Sequence, residues 1–135
     1  MQLDKSTYNI KIRSICVAVE VGDVFSKEYL ISSINRGITD TLSGIYVEKM
    51  PTAYNRTSDY TIISPIEIPN IEVILQNSSS SQVRGVANIP CNLLPAAYMS
   101  ALNQILKTEN LQLLPITQQK LFDIFEMRDS DGYKL

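Results

Sequence analysis

Residues 26–45 read SKEYLISSINRGITDTLSGI, and this stretch decides the fold. Ile31, Ile34, Ile38, Leu42 and Ile45 recur at intervals of three and four, which places them on one face of an α-helix. Ser26 fits the N-cap, where its hydroxyl accepts one of the N–H groups that a first turn leaves unpaired. Phe25 before the cap and Leu30 beyond it are spaced for a hydrophobic staple. Gly44 is the expected stop. An amphipathic helix of this kind owes most of its stability to the surface it covers, so a layer must lie beneath it.

On the N-terminal side, Tyr8 to Val21 is rich in β-branched residues and reads as strand. Ile10 and Ile12 share one face, whereas Ile15, Val17, Val19 and Val21 share the other. The phase therefore changes near Arg13-Ser14, through a β-bulge or a bend between two short strands. On the C-terminal side, a polar connection over 48–59 leads to short extended pieces, Tyr60–Ile63 and Ile66–Ile68, interrupted by Pro65 and Pro69. Proline suits edge strands, because a central strand cannot lose its donors. Ile71–Gln76 and Gln82–Ile89 flank a serine-rich tip and read as a β-hairpin. A helix opening near Asn92 to Pro95 presents Ala97, Tyr98, Ala101, Leu102, Ile105 and Leu106. Thr117 fits the cap of a last helix carrying Leu121, Ile124 and Phe125, with Ile116 and Leu121 at staple positions.

These elements compose one α+β domain over 1–128 and a polar tail over 129–135. Its small antiparallel or mixed sheet contains the hairpin, packed by one helix from the N-terminal half and two from the C-terminal third. At 135 residues the chain can bury enough surface to fold without a metal or disulfide.

Composition excludes several kinds of chemistry. There is no histidine, so Ser-His-Asp and Cys-His nucleophilic sites and histidine-bearing zinc sites are ruled out. Cys16 and Cys91 stand in no CxxC pair and are expected as two unpaired, buried thiols. The five glycines are too dispersed for a phosphate-binding loop. Glu67 and Glu72 are the nearest paired acids, and solvated strand faces account for them better than catalysis. No catalytic, cofactor-binding or metal-ligating residue is therefore assigned, no cofactor is expected, and the chain reads as non-enzymatic. Twelve basic residues against fourteen acidic ones are scattered singly, which argues against nucleic-acid binding. The uncharged run from Gly85 to Leu106 is too polar for a bilayer span.

Serine, threonine, asparagine and glutamine together make 38 of the 135 residues, a composition suited to hydrogen-bonded contact surfaces. The contact candidates are Tyr54, Arg56 and Tyr60 in the first long connection and Ser78, Ser79, Ser80 and Ser81 at the hairpin tip. In this layout the chain resembles the small neck and tail-ring subunits of tailed bacteriophages. The residues behind the resemblance are the Ile31–Ile45 helix, the 48–59 connection, the Ser-tipped hairpin and the closing helices. The resemblance implies a ring-forming virion subunit that contacts copies of itself and neighbouring assembly proteins, in the host cytoplasm and then the virion. Two other readings compete: a small-molecule-binding or enzymatic α+β domain using Tyr, Arg and Glu, and an adaptor for a single protein partner.

Overall fold

Ile15, Val17, Val19 and Val21 alternate with Ser14, Cys16, Ala18 and Glu20, and the chain folds so that the first set faces inward. The structure is a computed structural model and describes residues 1–47, 62–78, 85–86, 88–107, 114–116 and 118–130. In chain order the elements are β1 (Gln2–Asp4), β2 (Asn9–Lys11), β3 (Ser14–Val21), α1 (Lys27–Leu42), β4 (Asn70–Asn77), α2 (Ile89–Leu106) and α3 (Gln118–Ser130). The fold is α+β, with two small sheets. β1 and β2 pair antiparallel, and β3 and β4 pair parallel from Ser14 opposite Asn70 to Val21 opposite Asn77.

The change of phase near Arg13 is a break between two strands, β2 and β3. The hairpin expected over 71–89 takes a different form. Its first arm is β4, whose described partner is β3, in parallel register. Of the return arm, Gly85 and Val86 are not strand, Ile89 is the first residue of α2, and 79–84 lie outside the described residues. Burial explains the choice. Pairing with β3 sets Ile71, Val73 and Leu75 beside Ile15, Val17 and Val19 over the helices, and Val86 is itself in the core.

Ser26 caps α1, its hydroxyl accepting from the Tyr29 N–H at 3.2 Å. The expected staple does not form, because Phe25 is fully exposed while Val24 packs on the core. Ile34, Ile38, Leu42 and Ile45 are buried, and Ile31 is half-buried at the edge of the stripe. Gly44 does not stop the chain, which continues through a π-helical turn, Ser43–Val47. Burial of Ile45 and the Tyr46 hydroxyl's bond to the Ile10 carbonyl oxygen outweigh a glycine's helix penalty of about 1 kcal/mol. Ser43 is buried, and its hydroxyl accepts from the Ile63 N–H at 3.1 Å, so the polar group inside the core is satisfied.

α1 packs against α2. Pro90, one residue inside the N-terminus, starts α2 earlier than the sequence suggested and leaves Pro95 within the helix. Leu94, Tyr98, Leu102 and Leu106 step by four along its buried face. α2 ends at Lys107, whose left-handed backbone (φ 49°) turns its N–H back to the carbonyls of Asn103 and Gln104. Ile116 and Leu121 are both buried, whereas Thr117 lies outside the described residues. The pieces expected as strands around Pro65 are instead coil at 62–64 and a turn at 65–67. No helix among the described residues is long and apolar enough to cross a membrane.

Candidate functional site

The Ser64-Pro-Ile-Glu67 turn places Ile66 and Glu67 along one side of a concavity. Serine at the first position and proline at the second favour a type I or II β-turn. Here the Glu67 N–H donates to the Ser64 carbonyl oxygen at 2.9 Å, and the Glu67 carboxylate accepts from the Ser64 N–H at 3.1 Å. The turn is thus closed twice, and it holds Ile66 fully exposed at its tip.

Opposite this turn stand β2 and the break before β3. Between them lies a cleft of about 650 Å³, lined on one side by Ile10, Lys11 and Arg13 and on the other by Ile63, Glu67 and Ile68, with Tyr46 and Gln2 also in the lining. Arg13 donates twice to the Gln2 side-chain oxygen, from Nε at 3.1 Å and from Nη2 at 2.7 Å. Tyr46 is held by its bond to Ile10. Burial, with the nearby Glu67 charge as the lesser cause, raises its phenol above the ordinary value. A second groove of about 220 Å³ lies between β3 and α2, with Leu42, Leu94 and Tyr98 in its walls and Cys16 at its margin.

Tyr54, Arg56, Tyr60, Ser79, Ser80 and Ser81 lie outside the described residues. Ser78 is described, and its N–H donates to the Val21 carbonyl oxygen at 2.7 Å, extending the β3–β4 ladder by one bond. Glu67 belongs to the cleft, whereas Glu72 sits on the outer face of β4 opposite Cys16. Reading the prolines as strand interruptions hid the cleft. The Ser-Pro-x-Glu turn pattern was the available signal.

Both cysteines are free, but the expectation that they are buried is corrected: both are exposed. Cys16 falls on the outward phase of β3, and Cys91 lies in the first turn of α2, where the Thr41 hydroxyl donates to its sulfur at 3.3 Å. Quantitative labelling of the native chain without reductant is therefore expected to find two reactive thiols. Fewer than two would contradict this exposure.

No protein-family model and no curated protein sequence matches the chain. Its fold does match segments of solved structures. Over 92% of its length it superposes on quinoline 2-oxidoreductase from Pseudomonas putida 86, with a TM-score of 0.77 and 18% identity. Over 93% it superposes on the Cu,Mo-CO dehydrogenase in its carbon monoxide-reduced state, with a TM-score of 0.75 and 16% identity. In both cases the chain spans 17% of the longer chain's length. These neighbours overturn the resemblance to phage neck and tail-ring subunits, and with it the reading as a ring-forming virion component. The layout of helices and long loops misled because it did not register the parallel β3–β4 pairing across α1. What the likeness establishes is the fold: that of a segment within much longer oxidoreductase chains.

Proposed function

We propose that this chain serves as a non-catalytic scaffold domain of a larger oxidoreductase, packed against another polypeptide of that enzyme. The observation that carries the reading is the β3–β4 sheet. Parallel strands occur almost only in sheets covered on both faces. Here one face lies over the helices, while Cys16, Ala18, Glu72, Ile74 and Gln76 on the other are exposed. Ile74, an apolar side chain, is 47% exposed there. A fold that recurs inside chains about five times longer supports a polypeptide neighbour as the cover.

The metals named for one neighbour do not fit this chain's own donors. Among the described residues no three His, Cys, Asp or Glu side chains come together to hold a metal ion, and the sequence has no histidine. In this reading the redox chemistry belongs to the partner. Two free thiols suit a reducing, intracellular compartment.

The test is fractionation of the tagged chain from its native cell. The chain is expected to sediment with a larger polypeptide, in fractions that reduce an electron-acceptor dye, while the isolated chain does not. Amides of β3 and β4 should exchange more slowly with deuterium in the complex. A chain that runs as a monomer or as a homo-oligomer alone, or that turns over by itself, would overturn the proposal.

A further inference from the structure

We infer that the cleft between β2 and the Ser64–Glu67 turn is a binding site for a small organic carboxylate, whether or not the chain belongs to a larger oxidoreductase. Its volume of about 650 Å³ lies within the range of small-molecule sites, roughly 300–1,000 Å³. Its lining is polar and apolar in about equal parts, with Ile12, Ile66 and Ile68 beside Gln2, Asn9 and Asn70.

The polar groups select the charge. Lys11 and Arg13 face one carboxylate, Glu67, so the lining carries one net positive charge. The carboxylate of Glu67 is turned to the Ser64 N–H. Arg13 is braced by a neutral acceptor, the Gln2 amide oxygen, which fixes the guanidinium without cancelling its charge. A guanidinium has five N–H donors, and the two bonds to Gln2 leave three, including a pair on the Nη edge. That pair matches the two oxygens of a carboxylate. A dianionic phosphate would be repelled more strongly by Glu67 than a monoanion, so the single net positive charge of the lining favours a monoanion.

The experiment is a methyl and amide NMR titration of the full chain with 2-naphthoate and, separately, with its neutral amide, 2-naphthamide. Naphthoate is expected to shift Ile10, Ile12 and Ile63 saturably and to bind at least about tenfold more tightly than the amide. It should leave Leu94 and Ala101, in the second groove, unmoved. Arg13→Gln should lose about tenfold or more in naphthoate affinity while the amide's weak binding stays the same. The acid-to-amide ratio in the unaltered chain decides the charge selection without any variant, and Lys11→Gln provides a second variant that leaves the Gln2 brace intact. Equal binding of acid and amide, shifts confined to the second groove, or full affinity in both variants would overturn the assignment.

Discussion

Ile38→Ala is expected to destabilise the chain by about 2–5 kcal/mol, the range for emptying a fully buried aliphatic site. Ile38 has no exposed surface, and it lies in the buried stripe of α1 between Ile34 and Leu42, which have none either. α1 is packed against α2, whose Leu102 is likewise fully enclosed. Truncation removes the contacts of three carbons, and helices on both sides of the interface limit how far the hole can close. Domains of this kind have only about 5–15 kcal/mol in total, so the loss is a large share of the fold. Denaturant melts should show a lower midpoint with an unchanged slope. Ile31→Ala is the control. Its half-buried position at the edge of the same stripe should cost about 1 kcal/mol or less. A loss below about 0.5 kcal/mol at Ile38 would show that the stripe does not hold the helices together.

The second large effect is alkaline. Tyr98 is almost completely buried, and burial, with Tyr46 nearby as a lesser cause, pushes its phenol far above the ordinary value of 10.0. Below that value the phenol is protonated in both folded and unfolded chains, and its full contribution to stability is present. Above it, the unfolded chain gains a phenolate that the folded chain cannot accommodate. Stability should then fall by about 1.4 kcal/mol per pH unit until the folded group also ionises. Tyr46 adds to the loss in the same direction. Tyr98→Phe keeps the ring and deletes the ionisation, so thermal melts from about pH 8 to about pH 12 should fall less steeply for the variant. Equal slopes would show that Tyr98 does not drive the alkaline transition.

What was legible in the sequence followed from strong periodicity. The stripe of α1, the inward phase of β3 and the Tyr98–Leu102–Leu106 face of α2 all repeat at fixed spacing, and burial enforces that spacing. The break at Ile12-Arg13 was visible, displaced by one residue, as a change of phase near Arg13-Ser14. Strand partners were harder. Ile71–Gln76 alternates equally well for a hairpin or for a parallel pair, and only the competition for the surface beneath α1 decides between them. The helix ends also turned on tertiary contacts. Ile45 carried the chain past Gly44, and Lys107 took a left-handed cap usually left to glycine. The cleft depends on segments far apart in sequence, Gln2 to Arg13 and Ile63 to Asn70, so the Ser-Pro-x-Glu pattern could signal the turn but not the wall opposite it.

The β3–β4 ladder also sets a timetable for synthesis. Each of its rungs joins residues more than fifty positions apart, from Ser14 with Asn70 to Val21 with Asn77. At roughly 5–20 residues per second, β3 leaves the ribosome roughly 3–11 s before its partner has been made. During that interval α1 can form on local terms, with its Ser26 cap and its Arg36–Asp40 pair at 3.7 Å, but β3 is a strand without a neighbour. A nascent strand with Ile15, Val17, Val19 and Val21 on one side is an aggregation hazard. The alternating Ser14, Cys16, Ala18 and Glu20 keep its other side small or charged, which makes the wait tolerable.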